Sequence, residues 1–199
     1  MEDQTTDNPP LIKKNIITVA GRPGSGKSTA AKAAASRLGF KHFSSGDLYR
    51  QLADNQGVEL LEANISADAH EIIDPLVDDK LRDIGVKEDG LVIDSRMAWH
   101  WIPASFKVFL DLDIDTAARR ILAEISEDRL KNEKVVDSPG DYAKILQRRL
   151  DIETERYKGK YGINPYEMAN YDLVIHTAHN NPAQTVEALI RGFQNWINA

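Results

Sequence analysis

Gly21-Arg22-Pro23-Gly24-Ser25-Gly26-Lys27-Ser28 is the stretch that decides the fold. Its spacing is G-x-x-x-x-G-K-S, in which glycines permit positive-φ turns and let consecutive backbone N–H groups converge on an anion. Lys27 would place a point charge on the terminal phosphates of a nucleotide, and the Ser28 hydroxyl would bind Mg²⁺. The stretch, continued by Thr29, is therefore predicted to be a P-loop.

The residues on either side of this loop have the pattern that a P-loop requires. Ile16-Ile17-Thr18-Val19-Ala20 is a short apolar run that predicts a buried strand, and Ser28 to Leu38 is predicted to be a helix that ends before Gly39. The positive end of that helix dipole would add to the anion site. A merely structural glycine turn is the alternative, and the flanking strand and helix disfavour it.

Strand and helix patterns alternate along the rest of the chain. Further strands are predicted at residues 41–43, 91–94, 107–110 and 173–176. The predicted fold is therefore α/β, with a five-stranded parallel sheet and helices on both faces. Residues 1–14 are predicted to be a flexible tail and residues 15–199 a single domain, with a small helical lobe inserted at about 51–85 and a lid at about 120–140.

Composition narrows the function. The 199 residues include no cysteine, which excludes disulfides and thiol nucleophiles and fits a cytoplasmic protein. The polar, acidic start and the lack of a long apolar run predict neither a signal peptide nor a membrane span. A net charge of −6 argues against binding polymeric nucleic acid, which needs a basic face. No apolar stripe calls for a partner chain, so we expect a monomer.

Several charged residues are candidates for a phosphate site. Asp94 ends an apolar strand and would orient Mg²⁺-bound water, although capping a turn is its alternative role. Arg149, Glu153 and Arg156 have the spacing i, i+4 and i+7 and share one helix face, where surface ion pairs are the alternative. Arginines also occur at the positions where a second phosphate and the charge that develops during transfer would need cationic partners. They are Arg50, Arg96, Arg120, Arg129, Arg149 and Arg156.

A P-loop does not by itself identify the reaction, because motors, GTPases and kinases share it. The chain is too short for the ATPase machinery of large assemblies. It also has no Asn/Thr-Lys-x-Asp motif of the kind that reads guanine. Together with the recurring arginines, these features favour a small-molecule kinase.

Five segments resemble the cytidylate kinase family, in particular its short archaeal-type branch. They are Gly21 to Thr29, Ser45-Gly46-Asp47-Leu48-Tyr49-Arg50, Ile93-Asp94-Ser95-Arg96-Met97-Ala98-Trp99, Lys107-Val108-Phe109-Leu110-Asp111 and Glu153 to Ile163. The resemblance runs from about Asn15 to the C-terminus. It implies the P-loop kinase fold and phosphoryl transfer from ATP to CMP or dCMP, giving ADP and CDP or dCDP.

The resemblance also implies roles for individual residues. It places Gly21 to Thr29 on ATP, and Ser45 and Arg50 on the acceptor nucleotide. Acceptor contacts are likewise implied for Arg96, Arg149 and Arg156, with Glu153 accepting hydrogen bonds from the sugar hydroxyls. The predicted catalytic residues, which would surround the moving phosphoryl group, are Lys27, Arg120 and Arg129.

The chain departs from the family at the lid. The branch usually continues the helix that carries Arg120 into an arginine-glutamate pair, whereas this chain has Glu124-Ile125 there and only later Arg129. Ser95-Arg96 also replaces the more common Gly-Arg. Two alternatives to cytidylate kinase activity therefore stay open. One is a P-loop kinase for another small acceptor, such as another nucleotide, shikimate, a sugar acid or a coenzyme precursor, and the other is a non-catalytic nucleotide-binding regulator.

Overall fold

A parallel sheet forms the centre of the protein, for which a computed structural model describes residues 12–55, 67–124 and 138–199. The strands are β1 (Ile16–Gly21), β2 (Lys41–Ser44), β3 (Leu91–Asp94), β4 (Phe106–Asp111) and β5 (Leu173–His176). Their order is β2-β3-β1-β4-β5, and every neighbouring pair is parallel. The predicted α/β fold is confirmed, and each predicted strand begins and ends within one residue of the observed one.

Seven α-helices and one 3₁₀-helix connect these strands in the described part of the chain. They are α1 (Lys27–Leu38), α2 (Ser45–Asn55), α3 (Ala67–Lys87), α4 (Ala98–Trp101), α5 (Ile114–Glu124), α6 (Pro139–Tyr161), the 3₁₀-helix Met168–Asn170 and α7 (Pro182–Asn198). Helix α6 begins where the sequence predicts, because the Ser138 side chain accepts a hydrogen bond from the backbone N–H of Asp141.

Helix α3 begins earlier than the sequence suggests. Asp74-Pro75 has the pattern of a helix start, yet Pro75 lies inside α3. An internal proline costs about 3 kcal/mol because it removes one backbone hydrogen bond. The buried apolar face offsets this cost, since it extends back through Val77 to Ile73, which is 1% exposed. The helix therefore continues through the proline, and Asp74 lies on its side.

The start of α5 is a second correction. In the sequence, Asp115-Thr116 directly precedes a helical pattern, which predicts Asp115 as the helix cap, but the helix begins at Ile114. The capping carboxylate belongs to Asp113, whose Oδ1 accepts a hydrogen bond from the backbone N–H of Thr116 at 2.8 Å. That hydrogen bond holds the pKa of the Asp113 carboxyl below its ordinary value.

The sheet is buried on both faces, as the apolar strands predict. On one face, Ile17 and Val19 pack with α1 and α7 through Ala34 and Leu189. On the other, side chains that include Ile16 pack with α3 and α4. None of the helices in the described ranges is long and apolar enough to cross a membrane.

The close packing of the two central strands fixes where the P-loop begins. A Cβ on Gly21, whose φ is 152°, would lie 2.3 Å from the backbone oxygen of Leu110 in β4. Only glycine fits there. Because all five strands are parallel, the loops after them meet at one edge of the sheet, and this edge holds the candidate site.

Candidate nucleotide-binding and phosphoryl-transfer site

The P-loop has a backbone suited to an anion. Gly24 and Gly26 adopt φ values of 68° and 82°, and α1 begins directly afterwards at Lys27. The loop is closed by a hydrogen bond from the backbone N–H of Ser25 to the carbonyl oxygen of Arg22 at 3.3 Å. The Ser25 hydroxyl is buried and has no hydrogen-bond partner among the described residues. The loop thus presents backbone amides, a helix N-terminus and a spare hydroxyl to a phosphate.

Lys27 is half-buried at the mouth of this loop, with its Nζ 3.4 Å from the carbonyl oxygen of Arg22. Burial, followed by the positive charge of Arg96, lowers the pKa of Lys27 to about 8 against the opposing effect of Asp94. Arg149 and Glu153 also act on this pKa. Charged residues from two other segments, the end of β3 and helix α6, therefore act on one amine, and a bound polyphosphate would restore its charged form.

Three oxygen-bearing side chains meet beside Lys27. The Ser28 hydroxyl donates a short hydrogen bond to Asp94 Oδ2, and the Ser45 hydroxyl lies 3.4 Å from the Asp94 carbonyl oxygen. The described residues contain no group of three or more histidine, cysteine, aspartate or glutamate side chains that would form a metal cage. Mg²⁺ usually takes only one or two carboxylates and completes its shell with phosphates and water. One carboxylate and a hydroxyl fit that requirement.

Glu153 lies at the centre of the residues that are predicted to bind the acceptor. Its carboxylate accepts a hydrogen bond from Arg149 Nε at 3.2 Å and a short one from the Tyr166 hydroxyl, and it lies 3.3 Å from Arg96 Nε. Burial raises the pKa of Glu153, but Arg96 and Tyr166 outweigh it and hold the pKa below its ordinary value. Burial also lowers the pKa of Arg96, which Glu153 more than offsets. Both groups are therefore charged.

Arg96 retains unused hydrogen-bonding capacity. Its Nε forms the ion pair with Glu153 without hydrogen-bond geometry, and that buried N–H has no hydrogen-bond partner in the described ranges. A buried donor without an acceptor is costly, and the nearby Glu153 carboxylate offsets part of this cost through its charge. Arginine suits phosphate, because its planar fork binds two oxygens at once.

Arg50 and Arg156 are held by carboxylates. Arg50 is exposed on α2 and forms a short ion pair with Asp47, one turn earlier. Arg156 lies on α6, and its Nη1 is 3.1 Å from Oδ2 of Asp74, a residue of α3. The acceptor roles of both arginines stay predictions, since these ion pairs show only how the side chains are placed.

Of the two predicted catalytic arginines, Arg120 and Arg129, the structure describes only Arg120. Arg120 donates hydrogen bonds to the carbonyl oxygens of Thr177 and Ala178 after β5, at 2.8 and 3.2 Å. Its catalytic role therefore stays a prediction, because its guanidinium faces backbone carbonyls. Arg129 lies outside the described residues, as do most of the predicted lid and residues 1–11 of the predicted tail.

Sequence patterns miss two residues of this site. Tyr166, which is 8% exposed, lies in the irregular segment after α6 and gives no periodic signal. Asp74 stands out in the sequence, but the proline that follows it gives it the pattern of a helix cap and not of an ion-pair partner. The site therefore has more fixed partners around its arginines than the motifs alone indicate.

Comparison with known proteins gives consistent matches. A family model described as an AAA domain matches residues 17–138. A cytidylate kinase of Haloarcula marismortui is 35% identical over 91% of this chain and 90% of its own length. A cytidylate kinase of Natronomonas pharaonis is 37% identical over 84% and 83%. The structure of shikimate kinase from Bacteroides thetaiotaomicron matches with a TM-score of 0.57 over 92% of this chain and 98% of its own, but at 16% identity it supports the fold alone.

Proposed function

Because this chain belongs to the cytidylate kinase family, we propose that it transfers the γ-phosphoryl group of ATP to CMP or dCMP, giving ADP and CDP or dCDP. The observation that carries the proposal is the cluster in which Glu153 pairs with Arg96 at 3.3 Å and with Arg149 at 3.2 Å, close enough to the P-loop to act on the pKa of Lys27. A P-loop that binds only a nucleoside triphosphate needs positive charge at that one ligand. The additional arginines suit a second phosphorylated molecule held opposite the first.

The donor side consists of the P-loop and α1. Backbone N–H groups from Gly21 to Thr29 would surround the β- and γ-phosphates, and Lys27 would bind the γ-phosphate oxygens. Ser28 and the Asp94 carboxylate would hold Mg²⁺, directly or through water. When bound, Mg²⁺ neutralises charge on the β- and γ-phosphates.

The acceptor side consists of α2, α6 and the residues after β3. Ser45, Arg50, Arg96, Arg149 and Arg156 would hold the phosphate of the acceptor nucleotide. Glu153 orients Arg96 and Arg149 directly, and its remaining lone pairs could accept a hydrogen bond from the acceptor's sugar. The 5′-phosphate would then point toward the P-loop.

The transfer follows from this arrangement without a general base. An oxygen of the acceptor phosphate attacks the γ-phosphorus, and the bond from that phosphorus to the β,γ-bridging oxygen breaks, so ADP leaves with the bridging oxygen. The acceptor oxygen is already anionic, so no proton has to be removed. The protein contributes position and positive charge, which are the main requirements of phosphoryl transfer. Lys27 and the arginines supply that charge, and Arg120 and Arg129 are proposed to complete it when the lid closes.

A panel of acceptors tests the proposal. ADP release is measured with CMP, dCMP, UMP, AMP, GMP, shikimate and gluconate at fixed ATP and Mg²⁺. We expect turnover to be highest with CMP or dCMP. A preference for UMP, AMP or GMP over both would refute the cytidylate assignment. Turnover only with shikimate or gluconate would support another small-molecule kinase, and tight ATP binding without turnover would support a non-catalytic regulator.

A further inference from the structure

Helix α3 carries two buried carboxylates, Asp74 and Asp78, to which the proposed function assigns no role. Asp74 is 8% exposed and Asp78 is 6% exposed, and their spacing of four residues places them on one face of the helix. Acidic side chains are rarely this buried unless they are paired. Both have partners on other helices, so they connect α3 to the rest of the protein.

Two partners of Asp74 lie on the last two turns of α6. Arg156 Nη1 lies 3.4 Å from Oδ1 and 3.1 Å from Oδ2, and Lys160 Nζ lies 3.4 Å from Oδ2. Asp78 accepts hydrogen bonds from the Tyr161 hydroxyl at 2.5 Å and from Trp101 Nε1 at 2.9 Å. Polar side chains thus tie α3, in the predicted acceptor lobe, to the helix that carries Arg149 and Glu153.

Among the described residues, the hydrogen bonds to Asp74 use one nitrogen of the Arg156 guanidinium. The contacts to Asp74 involve Nη1, and the guanidinium carbon lies 4.7 Å from the centre of the Tyr157 ring. An arginine has five N–H donors, so a phosphate can bind to the others without displacing the carboxylate. Asp74 also lies between Arg156 and Lys160, whose positive charges one turn apart would otherwise repel.

We infer that Asp74 is a positioning residue: it holds Arg156 at the angle required to bind the acceptor phosphate and makes that angle depend on the position of α3. The inference rests on the proposed function, in which Arg156 contacts that phosphate. Movement of the acceptor lobe would then carry Arg156 with it. Asp74 itself touches no reacting atom.

The experiment compares Asp74→Asn with Asp79→Asn. Asp79 is a matched control, because it lies on the same helix and is paired with Arg82 at 2.6 Å, but its side chain is 73% exposed and its partner is also on α3. We expect D74N to lower kcat/KM for CMP about tenfold, mainly through KM, because a hydrogen bond to a charged group is lost, while KM for ATP changes less than about twofold. D79N should match the wild type, and D74E should recover part of the loss.

A double-mutant cycle separates positioning from general stability. If Asp74 acts through Arg156, adding D74N to Arg156→Ala should leave KM for CMP within about twofold of the single R156A variant. Additive losses in the double variant would overturn the inference. A D74N protein with the wild-type KM for CMP would also overturn it. So would a D74N protein that does not melt cooperatively when D79N melts cooperatively, because the role of Asp74 would then be general stability. If the wild type turned over no CMP or dCMP at all, the proposed function itself would fail, which is a distinct outcome.

Discussion

Replacing Glu153 by glutamine tests the charge balance of the site. The Glu153 side chain is 12% exposed and pairs with Arg96, which is 29% exposed, and Arg149, which is 50% exposed. Glutamine keeps the shape but removes the negative charge, so Arg96 is left without its counterion. Breaking a buried pair costs about 3–5 kcal/mol, and we expect the lower end, about 3 kcal/mol, because Arg96 retains some contact with water. For a chain of this size that corresponds to a fall in Tm of about 6–12 °C.

The assay is thermal melting of E153Q beside a matched control, Glu187→Gln. Glu187 on α7 also pairs with two arginines, Arg37 at 2.7 Å and Arg191 at 3.8 Å, but all three side chains are about half exposed or more. E187Q should melt within experimental error of the wild type, because exposed pairs contribute little.

The pH dependence of the melting temperature shows whether the charge of Glu153 stabilises the fold. The folded-state pKa of Glu153 lies below its ordinary value, so the ionised carboxylate stabilises the protein at pH values above its unfolded-state pKa. That stabilisation is lost as the pH falls through the folded-state pKa. The gap in Tm between wild type and E153Q should therefore close in acid. An E153Q protein as stable as the wild type at pH 7, or a gap independent of pH, would refute the reasoning.

Three further predictions concern the P-loop and the acceptor. Because the pKa of Lys27 is about 8 in the free protein and a polyphosphate raises it, ATP binding at pH 8.5 should take up protons, and affinity should fall as the pH rises above 8. Calorimetry in buffers of different ionisation enthalpy checks this, because the observed heat should change with the buffer, and observed heats that are the same in every buffer would contradict it. The Gly21→Ala variant should be strongly destabilised or fail to fold, because its Cβ would lie 2.3 Å from the Leu110 oxygen. A Tm near that of the wild type would show that the backbone of β4 can move enough to accommodate the Cβ. Arg50→Ala should raise KM for CMP and lower kcat while leaving ATP affinity within about twofold; an equal loss of ATP affinity would place Arg50 on the donor instead.

The sequence predicts the sheet and the P-loop well because both depend on local patterns. Apolar runs bounded by glycine and charged residues define β1 and β3, and the G-x-x-x-x-G-K-S spacing requires a strand before it and a helix after it. Such signals are complete within a few residues. They therefore need no knowledge of the tertiary structure.

The partners of the arginines could not be predicted in the same way. Asp74 and Arg156 are separated by 82 positions and meet only because α3 and α6 come together in the fold. Tyr166 reaches Glu153 from an irregular segment. The placement of Arg120 on the carbonyl oxygen of Thr177 likewise depends on how β5 lies beside β4. Motifs identify which residues carry charge, whereas the topology decides which charges meet.

Binding of a dinucleotide that joins adenosine and cytidine through five phosphates tests the central claim most directly. If the P-loop and the arginines hold two phosphorylated molecules facing each other, this compound occupies both positions at once. Its Kd should then be at least about a hundredfold below that of ATP, as expected for linked binding groups. Both ATP and CMP should displace it, and the adenosine–guanosine analogue should bind more weakly. A Kd no lower than that of ATP, or a failure of CMP to compete, would contradict the claim.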